Sequence, residues 1–130
     1  LDTNRLKKIP VFADLPQETL DRIGALASEV SVPVGKELVR EGDYSYDVMA
    51  IEEGTARVER GGRHIADLGP GDVIGEMGVL ERHQRNATVV ATSPMMLVTL
   101  TSWDVRRLAK TDPEVVDRLR ELVEARKHQA

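Results

Sequence analysis

Glu76 and Arg85 stand nine residues apart in the stretch "GEMGVLERHQRNATVVA", residues 75–91. The residues between them read as one short apolar helical turn and a loop, not as a surface helix. Two opposite charges so placed either cap ordinary structure or converge on a ligand that carries both hydroxyls and negative charge. An arginine supplies a planar fork of donors suited to phosphate or carboxylate oxygens, and a glutamate accepts from hydroxyls. Other chemistries find less support. His64, His83 and His128 are far apart and lack the H-x-H or H-E-x-x-H spacing of a metal site. No serine sits in a nucleophile elbow, and no Walker-type Gly-Lys-Ser occurs.

The surrounding elements must position these two charges. "LPQETLDRIGALASEV" places Leu20, Ile23, Leu26 and Ala27 at helical spacing, with Pro16 suited to its first turn. From Pro33 to Gly75 the pattern changes to short period-2 runs punctuated by glycine and proline. In "TARVERGGRHIADLG", Ala56 and Val58 point one way and Arg57 and Glu59 the other, and Gly61-Gly62 fits a tight hairpin turn. "ATVVAT" and "MMLVTLT" read as two further strands joined across Ser93-Pro94. Helix returns in "TSWDVRRLAK", capped by Thr101 or Ser102. It continues in "DPEVVDRLRELVEARKHQ", with Asp112 as N-cap and Pro113 in the first position. Val115, Val116, Leu119, Leu122 and Val123 form one face of that last helix. Trp103 and the four methionines are expected in the core. Asp72 is expected to serve the turn "GPGD". The order is helix, about eight short strands, then two helices: a β-roll flanked by helices.

Composition narrows the function. A net charge of −4 and pI near 5.4 argue against a general nucleic-acid surface, which needs a basic patch. The basic run Arg118–Lys127 is laced with Glu121 and Glu124 and reads as a solvated helix face. Cysteine is absent, which excludes thiolate metal sites and fits a reducing compartment. With no apolar run near the ~20 residues of a spanning helix and no signal-peptide pattern, a cytoplasmic setting without membrane insertion is expected.

"LGPGDVIGEMGVL" followed by "RNATVVA" resembles the phosphate-binding cassette of the cyclic nucleotide-binding domain family, the family of cyclic-AMP-responsive transcription factors and kinase regulatory subunits. The resemblance runs through "VFADLPQETLDRIGALA", "VPVGKELVREGD", "IEEGTARV" and "PMMLVTLTSWDVRRLAKTDPEVVDRL", in family order and over nearly the whole chain. It implies an α+β, mainly β fold: an eight-stranded antiparallel β-roll or jelly roll, an N-terminal helix, a short cassette helix and two C-terminal helices. It also implies one cyclic nucleotide-binding domain over residues 1–130. The N-terminal helical segment would cover 1–29, the roll 30–101 and the C-terminal helices 102–128.

By the same resemblance Arg85 would pair the ligand phosphate and Glu76 would accept from the ribose 2′-hydroxyl. Backbone amides of Gly78, Val79, Asn86 and Ala87 would cradle the phosphate. Gly75 and Gly78, lacking Cβ atoms, would allow close approach. Met77 and Thr88 complete the cassette set. Leu119, Leu122 or Val123 would form an apolar lid over the base, with Arg126 a cation–π candidate. This sequence departs from the family pattern at Gln84, where proline is usual, and at Asn86 and Gly78.

The expectation is a non-enzymatic regulatory domain binding a 3′,5′-cyclic nucleotide, cyclic AMP more than cyclic GMP, with no metal and no cofactor beyond that ligand. The cassette, through Met77 and Leu80, would shift the C-terminal helices. Output would pass to a domain or partner protein outside this chain, and a homodimer is compatible. The competing readings are a degenerate, non-binding scaffold of the same fold and, more remotely, a cupin-type metal enzyme.

Overall fold

The computed structural model describes residues 1–44, 47–75 and 85–129, the side chains of 123–129 excepted. Two four-stranded antiparallel sheets form the roll. One has the order β1 (Ser28–Val32), β8 (Met95–Thr101), β3 (Asp47–Glu53) and β6 (Val73–Ile74). The other has the order β2 (Glu37–Val39), β7 (Thr88–Ala91), β4 (Ala56–Arg60) and β5 (Arg63–Leu68). Four described helices flank them: α1 (Thr3–Leu6) and α2 (Gln17–Leu26) before the strands, α3 (Ser102–Thr111) and α4 (Pro113–Gln129) after. The expected short cassette helix lies outside the described residues.

The central strands β3 and β8 are apolar on both faces because each face meets a different layer. Val48, Ala50, Val98 and Leu100 face the helices in a core with Leu6, Phe12, Leu20, Ile23, Leu108, Val115 and Leu119. Met49, Ile51, Met95 and Leu97 instead face the second sheet, packing with Val39, Ala56, Val89 and Ala91. Successive residues of a strand point to opposite sides, so one strand serves both cores. That is why "MMLVTLT" reads as a nearly continuous apolar run, whereas β5, exposed along almost its whole length, does not.

Turn chemistry follows the sequence. Gly61 and Gly62 take φ of 58° and 78° between β4 and β5, a conformation that costs glycine no steric penalty. Asp72 accepts from the Gly69 amide at 2.8 Å, the turn role expected of it. Thr101 caps α3 in a reciprocal box, accepting from the Asp104 amide while Asp104 accepts from the Thr101 amide.

One expectation is corrected and another narrowed. Trp103 is 70% exposed, because the buried phase of α3 is taken by Val105 and Leu108. Asp112 stands at the expected N-cap position of α4, its carbonyl accepting from the Val115 amide at 3.0 Å. Its carboxylate, however, bonds to α2 and Thr111 and not to that helix's amides. It receives Arg22 Nε at 2.6 Å, the Thr19 hydroxyl at 2.7 Å and the Thr111 hydroxyl at 2.8 Å. The Arg22 guanidinium holds the Asp112 carboxyl well below the usual carboxylate range against the opposing cost of burial, and the two hydroxyls add to the effect. This cluster ties α2 to the junction of α3 and α4. A second tie, Arg5 bridging Glu52 and Glu29, fastens the short α1 to the first sheet; sequence periodicity did not reveal that helix.

Among the methionines, Met49 and Met95 are buried, Met96 is half-buried, and Met77 lies outside the described residues.

Candidate functional site

Arg85 enters the roll where three chain segments meet. Its amide donates to the Asp43 carbonyl at 2.6 Å, and its carbonyl accepts from the Gly42 amide at 2.8 Å. These two bonds lock its backbone to the turn "EGD" between β2 and β3. Its Nη2 donates to the Asp47 carbonyl at the start of β3, at 3.1 Å. The guanidinium lies against Gly75, immediately after β6. A Cβ built on Gly75 would collide with the Arg85 Nη1 and stand 2.5 Å from the Asp47 carbonyl oxygen. With φ at 89°, Gly75 is doubly required: by backbone conformation and by the side chain it admits.

The residues after Arg85 are stitched to the same rim. Arg60 Nε donates to the Asn86 carbonyl at 3.0 Å. The Glu41 amide donates to the Thr88 hydroxyl at 3.0 Å, and the Glu41 carboxylate accepts from the Gly61 amide at 3.0 Å. The β2–β3 turn, the β4–β5 hairpin and the start of β7 are therefore joined around residues 85–88. Ala87 is buried, Arg85 and Thr88 half-buried, and Asn86 exposed. The Arg85 guanidinium is thus held by the Asp47 main-chain carbonyl and against Gly75, while its backbone is bonded to the β2–β3 turn. It can present a fixed, planar cation to an anion of matching geometry.

Of the residues marked in the sequence, the structure brings together Gly75, Arg85, Ala87 and Thr88, with Asn86 beside them. Glu76, Met77, Gly78, Val79 and Gln84 lie outside the described residues, as do the side chains of Val123 and Arg126. Leu119 is fully buried in the helical core, and Leu122 packs partly buried against it. The carbonyls of Asp43 and Asp47 and the side chains of Glu41 and Arg60 were missed. Main-chain acceptors leave no mark in residue identity, and Arg60 and Glu41 read from sequence as ordinary strand-end charges. His64 sits on exposed β5 beside Asp67, at 2.9 Å.

Comparison with known proteins places this architecture. The profile of the cyclic nucleotide-binding domain family matches residues 29–112, the roll from β1 to the end of α3. The chain belongs to that family, and it carries the β-roll of cyclic nucleotide-binding regulatory domains. It is 31% identical to the cyclic AMP receptor protein of Thermus thermophilus, over 96% of this chain and 60% of that protein. It is 30% identical to a cyclic nucleotide-gated potassium channel of Rhizobium etli, over 86% of this chain and 31% of the channel. The crystal structure of the Thermus thermophilus catabolite activator protein superposes with a TM-score of 0.83 at 30% identity, covering 92% of this chain and 59% of that one. The chain thus spans between 31% and 60% of the length of these relatives. Among the described residues, no helix is long and apolar enough to cross a membrane.

Proposed function

We propose that this chain is a ligand-sensing unit that binds a 3′,5′-cyclic nucleotide, cyclic AMP in preference to cyclic GMP. Arg85 pairs the phosphate, and Glu76 accepts from the ribose 2′-hydroxyl. The observation that carries this reading is the seating of Arg85. Its backbone is bonded on both sides to the β2–β3 turn, and its guanidinium lies over Gly75 and against the Asp47 carbonyl. An arginine fixed in this way meets an incoming phosphodiester with little loss of side-chain entropy, which favours affinity. Membership of the family, and likeness to a cyclic AMP receptor protein and a cyclic nucleotide-gated channel, support the same ligand class.

The response passes to the C-terminal helices. Leu119 of α4 belongs to the core that also holds residues of α2 and the first sheet, Leu122 packs against that core, and Asp112 pins the α3–α4 junction to α2, so a displacement of one helix loads the others. A ligand can drive such a shift only by binding the two helix arrangements with different affinity. The unit covers residues 1–130 and acts on a domain or partner outside this chain. The absence of cysteine supports a cytoplasmic setting.

The test is a pair of titrations with cyclic AMP and cyclic GMP, followed by calorimetry and by amide spectra of α4. The reading requires saturable binding, tighter for cyclic AMP, with resonances of residues 113–122 shifting along the same isotherm. Absence of heat with either nucleotide at millimolar concentration would leave the non-binding scaffold as the correct reading.

A further inference from the structure

Helix α3 carries a feature that nucleotide binding does not use. Trp103, Arg106, Arg107 and Lys110 are all exposed and follow the spacing i, i+3, i+4, i+7, which lines them along one stripe of the helix. The opposite phase, Val105 and Leu108, is buried, so the helix cannot turn this stripe inward. Arg106 stacks over the Trp103 ring, its guanidinium carbon 5.2 Å from the centroid. Arg5, Arg22, Arg40 and Arg57 each meet a carboxylate. Among the described residues, no carboxylate is paired with Arg106, Arg107 or Lys110. The acidic residue of this helix, Asp104, is committed to capping. A chain of net charge −4 therefore concentrates three cations around its single tryptophan.

We infer that this stripe is a docking surface for an acidic protein segment that offers an apolar side chain to Trp103 and carboxylates to Arg106, Arg107 and Lys110. Tryptophan and arginine are the residues most enriched at the energetic centres of protein interfaces, and an exposed large apolar side chain is most economically covered by a partner. Charge complementarity selects the sign of that partner. A membrane surface fits less well. The apolar phase of α3 is spent in the core, leaving only Trp103 to insert, and the overall negative charge opposes an anionic bilayer.

The only tryptophan reports on its own site, so its emission can be followed as two probe peptides are added to the whole chain. One is an acidic helical peptide of glutamate, aspartate and leucine; the other has its leucines replaced by glutamine. The inference requires a saturable blue shift with the leucine peptide and binding about tenfold weaker with the glutamine peptide. Affinity should also fall about tenfold in Arg106→Glu, and, by anisotropy of labelled peptide, in Trp103→Ala. Circular dichroism should show both variants folded, since both side chains are exposed. Equal affinity for the two peptides, or variants that bind like the parent, would overturn it. So would a response to phosphatidylglycerol vesicles with none to either peptide. Nucleotide titrations of Arg106→Glu should match the parent, keeping this result separate from the cassette.

Discussion

Substituting alanine at Gly75 and, separately, at Gly35 isolates the contact on which the site is built. The two glycines share φ of 89°, so an alanine at either pays the same left-handed backbone penalty, ~1–2 kcal/mol. Their surroundings differ. A Cβ at Gly35 would meet nothing within 4 Å, whereas a Cβ at Gly75 would occupy the place of the Arg85 guanidinium and press on the Asp47 carbonyl. Gly75→Ala must then expel Arg85 from its seat, giving up the Asp47 hydrogen bond and forcing local overpacking. That adds ~1–3 kcal/mol. For a chain of 130 residues, 1 kcal/mol corresponds to about 4 °C in melting temperature. Thermal unfolding by circular dichroism should give a drop of about 4–8 °C for Gly35→Ala and about 8–20 °C for Gly75→Ala. Only the second should lose nucleotide affinity, since only it displaces Arg85. Equal melting temperatures for the two variants, or a Gly75→Ala protein that binds like the parent, would refute the reasoning.

Three further outcomes are expected. Asp112→Ala removes the carboxylate shared by Thr19, Thr111 and Arg22 and leaves Arg22 without its salt-bridge partner; Thr19 keeps Glu114 and exposed Thr111 keeps the Arg107 carbonyl. Because the Arg22 side chain is 44% exposed and can regain water, the loss should be ~2–3 kcal/mol by urea titration at pH 7. Since the folded Asp112 carboxyl is depressed, its contribution is complete above about pH 5 and is lost as pH falls through the ordinary carboxylate range toward the folded value. The gap between parent and Asp112→Ala should therefore narrow on acidification; a gap that widens below pH 4 would contradict the assignment. Thr101→Ala removes one half of the α3 capping box and should cost ~1 kcal/mol in the same titration, with no change in nucleotide affinity.

Much of the architecture was legible because its signals are local. The Gly61-Gly62 turn, the Thr101 cap, the Asp72 turn and the periodicity of α2 and α4 depend on residues within a few positions of one another. What escaped detection depends on distance in the chain. The Asp112 cluster joins residues some 90 positions apart, and Arg5 reaches Glu52 across 47. The helical phase of α3 could not be fixed from sequence either, because Trp103 and Val105 are both apolar and only the packed core decides which is covered. At the candidate site the sequence marked Arg85, and the structure seats its guanidinium against Gly75 and the Asp47 carbonyl. The Cβ space at Gly75, expected to admit a ligand, is filled by the guanidinium of Arg85. The acceptors that seat Arg85 are backbone carbonyls, which any residue type would provide.

The central claim, that Arg85 is the phosphate anchor of a cyclic nucleotide site, is tested most directly by calorimetric titration of cyclic AMP into the parent chain, Arg85→Lys and Arg85→Ala. The account predicts saturable binding to the parent and a loss of ~2–5 kcal/mol in Arg85→Ala, roughly 30- to several-thousand-fold. Arg85→Lys should also bind weakly, because an ammonium restores the charge without the planar fork. Binding by Arg85→Ala as tight as that of the parent would contradict it.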